Sequence, residues 1–103
     1  MAEYRLTEKA EEDLIAIWLW TAGRWSEAQA DRYLAALEAC CEKIAAGHLQ
    51  GRPVEGLEQV RFHRCERHLV FCTAPGAQPL AVLAILHARM DLPARLRDRL
   101  DRM

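Results

Sequence analysis

Glycine and proline are scarce in this sequence, with five glycines and four prolines among 103 residues, too few for a linker array or a fibrous repeat. Long apolar runs are missing as well. The two longest, residues 14–20 and 80–86, have seven residues each, whereas a membrane-spanning helix needs about 20. No signal-peptide pattern precedes the acidic residues 11–13. We therefore expect a soluble, cytoplasmic chain that makes no membrane contacts.

The composition is that of a folded domain. Hydrophobic residues make up 51% of the chain and charged residues 28%, so the chain can bury a core and does not have the composition of a disordered tail. A length of 103 residues suits one ordinary domain. We expect a single domain over residues 1–103.

The chain has almost no net charge, but its two halves differ. The overall value is −1, with −4 on residues 1–51 and +3 on residues 52–103. This balance argues against wholesale nucleic-acid binding, and we expect no direct sequence-specific DNA binding. All nine positive side chains of the second half are arginines, which suit forked recognition of carboxylate or phosphate. Either these arginines lie on a solvent-exposed face of a sheet, or they contact an acidic partner.

The four cysteines lack the spacing of a metal site. Cys40 and Cys41 are adjacent in a helical pattern and cannot easily bond to each other. Cys65 and Cys72 have no CxxC spacing. In a cytoplasmic chain we expect all four to be structural thiols, and we expect no metal and no cofactor.

Capping residues and helical periodicity predict two helices joined by a short connection. Thr7 is a good N-cap for the first helix, which should end at Gly23. Ser26 and Gln29 form a capping box for the second, which should end at Gly47. The two helices are predicted to form an antiparallel hairpin.

Strand-like segments surround this hairpin at residues 3–6, 60–65, 68–73 and 80–86. Residues 48–59 are predicted as a loop, and Glu66–Arg67 as the tight turn of a β-hairpin. Pro93 should open a short C-terminal helix.

The order β-α-α-β-β-β predicts an α+β fold, with the helical hairpin packed on one face of a small antiparallel sheet. The other face should stay accessible and carry most of the arginine and histidine side chains.

Four segments in chain order carry a family resemblance: YRLTEKAEEDL at 4–14, GRP at 51–53, RHLVF at 67–71 and ILHARMD at 85–91. In this order they resemble the ParE branch of the RelE/ParE toxins of bacterial toxin–antitoxin pairs, over about residues 3–96. The resemblance implies the same helical hairpin on a sheet. It also implies a growth-inhibiting toxin held inactive by an antitoxin encoded beside it.

The resemblance further implies an antitoxin partner of the ParD type, whose C-terminal tail lays an amphipathic helix on apolar toxin surface. Ile15, Leu19 and Trp20, which widen the apolar face of the first helix, are the candidates for that antitoxin groove. The alternative is that these side chains complete the core.

The family contains two chemistries. RelE-like members cut mRNA on the ribosome, which requires a general base, a general acid and cations at the phosphate, whereas ParE-like members poison DNA gyrase by binding. Residues 52–103 contain no lysine and no tyrosine, and Cys72 stands where relatives usually carry an aromatic residue. We therefore favour a gyrase inhibitor without catalytic residues. The alternatives are a RelE-type mRNA endonuclease and a non-toxic antitoxin-binding module.

Basic side chains of the second half are the candidate contacts with target or antitoxin: Arg61, Arg64, Arg67, His68, His87 and Arg89. Two departures from the family stand beside them. Glu66 occupies a hairpin position where relatives often have glycine, so a left-handed residue is not expected there. His63 and Cys65 replace apolar strand residues, which indicates either a shifted register or a partly exposed face.

Overall fold

Two helices and five strands make up the computed structural model, which describes residues 4–73 and 79–88. In chain order they are β1 (Tyr4–Leu6), α1 (Glu8–Arg24), α2 (Glu27–Ala45), β2 (Arg52–Val54), β3 (Leu57–Cys65), β4 (His68–Thr73) and β5 (Leu80–His87). The strands form one sheet in the order β1-β5-β4-β3-β2, and the helices pack on one face. The predicted α+β class is confirmed. The predicted C-terminal helix lies outside the described residues.

Both predicted N-caps are confirmed. The Thr7 hydroxyl accepts a hydrogen bond from the Ala10 N–H, and the Ser26 hydroxyl accepts one from the Gln29 N–H. Thr7 also donates to the carbonyl of Leu83 over 3.3 Å. The start of α1 is therefore fixed both to its own first turn and to the strand that it covers.

The sheet is mixed rather than wholly antiparallel. β1 runs parallel to β5, with Tyr4 opposite Leu80, while the other neighbouring strands are antiparallel. β2 was not predicted, because Gly51, Pro53 and Gly56 are strong turn signals around it. An edge strand tolerates proline, since one side of it forms no ladder hydrogen bonds.

The prediction that the sheet face away from the helices carries the arginine and histidine side chains is wrong. Strand alternation fills that face with a second apolar cluster, whose buried members are Val60, Leu69, Phe71, Ala84 and Leu86. Arg61 lies opposite Cys72 and His68 opposite His87, on the face covered by the helices. His63 and Cys65 share that face and are buried, so the interpretation of a partly exposed face is also wrong.

A disulfide joins the second helix to the sheet, so the prediction of four thiols is wrong for two of them. Cys40 of α2 is bonded to Cys65 of β3, with their Cα atoms 6.1 Å apart and the two cysteines separated by 25 positions in sequence. Cys41 and Cys72 are buried free thiols. Closing a loop of this size stabilises a fold by about 3 kcal/mol in the chain-entropy account.

The structure explains why the first residue of the Gly-Arg-Pro segment at 51–53 is a glycine. Gly51 has a φ of +68°, and a Cβ added there would lie 2.5 Å from the ring of the buried His63. Any other residue would face both a left-handed backbone and a clash with the core.

We therefore expect Gly51→Ala to lower the free energy of unfolding by about 2–4 kcal/mol, measured by urea denaturation. Gly56→Ala is the matched control, because Gly56 has a φ of +81° but open space around the added Cβ. It should lose only about 1 kcal/mol. Equal losses in the two variants would contradict the role assigned to the His63 contact.

Candidate functional site

A groove of about 810 Å³ opens between the helical hairpin and one end of the sheet. The helices contribute three aromatic side chains to its walls, Trp20, Trp25 and Tyr33. The sheet contributes the β3–β4 turn with the start of β4, residues 66–68, and His87 at the end of β5. The walls of the groove therefore combine aromatic side chains with an arginine, two histidines and the acidic Glu66.

The structure brings together some of the candidate contact residues and separates the others. Trp20, Arg67, His68 and His87 line the groove. Other candidates do not line it: Arg61, Arg64, Ile15 and Leu19. Arg89 lies outside the described residues.

Tyr33 connects the second helix to the β3–β4 turn through one hydroxyl group. The hydroxyl accepts a hydrogen bond from the Arg67 N–H at 3.0 Å and lies 2.7 Å from Nδ1 of His68. Burial raises the pKa of Tyr33, so the hydroxyl keeps its proton. It also forms a hydrogen bond with Nδ1 of His68, so one oxygen meets two consecutive residues of the turn.

The electrostatics around His68 favour its neutral form. Burial and the neighbouring His87 lower the pKa of His68 from its usual 6.5 to about 4, against a smaller opposing effect of Asp13. The rings of His68 and His87 meet nearly edge to face, with centroids 5.2 Å apart. At neutral pH the His68 imidazole is an uncharged hydrogen-bond partner of the Tyr33 hydroxyl.

The Glu66–Arg67 turn forms as predicted, but the expectation about Glu66 is wrong. Glu66 has a φ of +58°, in the left-handed region that favours glycine, at a cost of roughly 1–2 kcal/mol. The side chain of Arg64 donates to the Glu66 carbonyl at 3.2 Å. This hydrogen bond, the Tyr33 contact and the disulfide at Cys65 hold the residue in place. A strained backbone conformation persists where several neighbouring contacts hold the residue in place.

Apolar side chains beside the groove remain in water, so they do not complete the core. Ile15, Leu19, Trp20 and Trp25 are each at least 60% exposed. Ile15 and Leu19 are four residues apart and lie on one side of α1, and Trp20 turns from that side into the groove. Together the four side chains, here called the apolar strip, form an exposed apolar surface on the helical hairpin, with the Arg24 guanidinium 5.8 Å from the centroid of the Trp20 ring.

Three side chains near the groove were not identified as functional from sequence: Asp13, Trp25 and Tyr33. Tyr33 packs against the core cluster on the inner side of α2, and only its hydroxyl distinguishes it from a core residue. Asp13 is one of several acids at the start of α1, yet its carboxylate accepts a hydrogen bond from the Ile85 N–H at 2.9 Å. Its position among the inward-facing residues 10, 14 and 17 was the available signal.

Within the described ranges, no group of three or more His, Cys, Asp or Glu side chains is arranged to hold a metal ion. Among the same residues, the helices are too short or too polar to cross a membrane.

The depressed pKa of His68 predicts a stability change with pH. The unfolded chain binds a proton at this histidine near pH 6.5 and the folded chain only near pH 4, so the fold loses stability as pH falls through this window. His68→Asn places an amide oxygen near the position of Nδ1 without a titrating group. Wild type should lose about 1–2 kcal/mol more than this variant between pH 7 and pH 4.5, after allowance for solvent screening. Both proteins are measured by urea denaturation at the two pH values. If wild type and His68→Asn lose the same free energy of unfolding, the depressed pKa of His68 is contradicted.

Relatives of known family match nearly the whole chain. The family described as "ParE toxin of type II toxin-antitoxin system, parDE" matches residues 4–92. The chain is 45% identical over 101 residues to Toxin ParE of Escherichia coli, covering 97% of this chain and 98% of that protein. It is 35% identical over 98 residues to Toxin ParE1 of Caulobacter vibrioides, covering 93% of this chain and 99% of that protein.

A solved structure has the same fold. One chain of the "Chromosomal ParDE TA system from P. aeruginosa" superposes with a TM-score of 0.72, covering 84% of this chain and 96% of that chain at 21% sequence identity. Together with the extent of the sequence matches, the shared fold leads to one conclusion. This chain belongs to the ParE toxin family of type II toxin–antitoxin systems.

Proposed function

We propose that this chain inhibits DNA gyrase by binding it and is neutralised by a ParD-like antitoxin encoded beside it. Membership of the ParE family supports this proposal. The observation that carries the choice of binding over cleavage is the state of His68. Its Nδ1 is hydrogen-bonded to the Tyr33 hydroxyl, and burial with the neighbouring His87 lowers its pKa to about 4.

Cleavage of mRNA requires groups that exchange protons with the reacting hydroxyl and the leaving oxygen near neutral pH. His68 is poorly suited to either task, because Nδ1 is occupied and the ring resists protonation. Arg67 and His87 also line the groove. As polar contacts they suit a binding surface, which needs no proton transfer from them. A RelE-type endonuclease is therefore the less favoured alternative.

The apolar strip is the proposed antitoxin surface. An amphipathic helix recognises its partner through apolar side chains at intervals of three or four residues, which matches the spacing of Ile15 and Leu19 on α1. Trp20 and Trp25 extend the same surface into the groove. Acidic side chains of the antitoxin would then reach Arg67 at the far wall.

The target is tested with the purified chain. We expect it to block supercoiling by purified gyrase or to trap cleaved DNA, and to leave mRNA intact in a translating extract. Cells expressing the chain without antitoxin should filament and show DNA damage. Unaffected gyrase together with cleaved mRNA would instead identify the endonuclease, and normal growth would identify a non-toxic antitoxin-binding module.

The antitoxin surface is tested by substitutions that reverse its chemistry. Leu19→Asp and Arg67→Glu should each weaken the complex with the antitoxin encoded beside this chain by about tenfold or more, measured by calorimetry. Leu49→Asp and Arg52→Glu are the matched controls, because Leu49 is exposed in the α2–β2 connection and Arg52 lies on the edge strand β2. Unchanged affinity in both test variants would remove this surface from the proposal.

A further inference from the structure

The β3–β4 turn is attached to α2 at two points on either side of the strained Glu66. On one side, Cys65 is bonded to Cys40. On the other, the Arg67 N–H and His68 Nδ1 both meet the hydroxyl of Tyr33. The turn itself forms one wall of the groove, so the position of that wall depends on one covalent link and one polar cluster.

The two cysteines of the disulfide differ in burial. Cys65 is buried at 2% exposure, whereas Cys40 is only partly buried on the outer side of the core. A thiolate attacks a disulfide sulfur that it can reach, so Cys40 is the point of entry. A dithiol reductant would form a mixed disulfide with Cys40 and release Cys65 as the leaving thiolate. Its second thiol would then free Cys40, leaving two protein thiols and one oxidised dithiol.

The remaining cysteines do not compete in this exchange. Cys41 and Cys72 are buried, and burial raises their pKa values to about 12 and about 11. Thiols that stay protonated and inaccessible are inert toward disulfides. Redox chemistry in the described part of the chain is therefore confined to one pair, which lies next to the groove.

We propose that the Cys40–Cys65 disulfide is a reversible clasp that fixes the β3–β4 turn against α2, and that its reduction loosens this wall of the groove. Once the covalent link is cut, the Glu66 turn keeps the Tyr33 and Arg64 hydrogen bonds, the bond from the Ala88 N–H to the Arg67 carbonyl and the β3–β4 pairing, but it loses its one covalent attachment to α2. A more mobile wall binds a partner less well, because the turn must then be ordered on binding. The consequence for antitoxin affinity rests on the function proposed above, whereas the loosening of the turn does not.

The state of the bond is measured on the full chain by alkylation after unfolding without reductant. Two modified cysteines are expected in the oxidised protein and four after treatment with dithiothreitol. Four modified cysteines in protein oxidised with a glutathione disulfide buffer would overturn the proposal.

The loosening is measured by hydrogen exchange of the backbone amides of residues 64–68 in the oxidised and the reduced chain. We expect exchange there to accelerate by about tenfold or more on reduction, with little change in α1. Cys40→Ser/Cys65→Ser should exchange like the reduced chain in both buffers. Cys41→Ala, which leaves the clasp intact, should respond to reductant as wild type does. Unchanged exchange in reduced wild type would overturn the clasp, whatever the double variant does.

Antitoxin affinity separates this inference from the proposed function. A complex that dissociates about fivefold faster or more in dithiothreitol would support the regulatory role. Equal dissociation in both buffers would overturn that role. An antitoxin that binds neither form, with exchange still dependent on reductant, would refute the proposed partner and leave the clasp in place.

Discussion

The hydroxyl of Tyr33 is the contact on which the geometry of the groove depends. One oxygen joins α2 to both residues that follow the strained Glu66, by accepting from the Arg67 amide and forming a hydrogen bond with the His68 ring. The turn, the imidazole and the helix are therefore linked through a single side chain, and the groove lies between them and the two exposed tryptophans.

Both faces of the sheet carry apolar clusters, and the polar side chains of the groove lie at one end of the sheet. The helices and the apolar residues of β3, β4 and β5 fill one face, and the second apolar cluster fills the other. Arg67 in the β3–β4 turn and His87 at the end of β5 lie at one end of the sheet, where they line the groove.

Sequence patterns predicted the parts of the fold that local chemistry decides. The N-caps at Thr7 and Ser26, the two helices and the Glu66–Arg67 turn are set by residues close together in the chain. The bond between Cys40 and Cys65 was not predictable in the same way, because only the packing of α2 on β3 brings the two sulfurs together. The left-handed Glu66 is a similar case. Tyr33 of α2 contacts the two residues that follow it, and the Arg64 side chain donates to its carbonyl. Together these contacts outweigh the local backbone preference of a glutamate. Several side chains of the groove could be predicted from the sequence as candidate contact residues. Which of them lie close together could not, because that depends on how the helices pack on the sheet.

The parallel pairing of β1 with β5 has a consequence for how the chain acquires its structure during synthesis. Tyr4 pairs with Leu80, so the first strand leaves the ribosome long before its partner exists. The two helices also lack the central strands that they cover until β4 and β5 have been translated. Contacts of such large sequence separation form late and slowly. A nascent chain that stops before residue 80 would lack β5, the interior strand on which α1 packs, and would expose that face of the helix in a form suited to capture by chaperones or proteases.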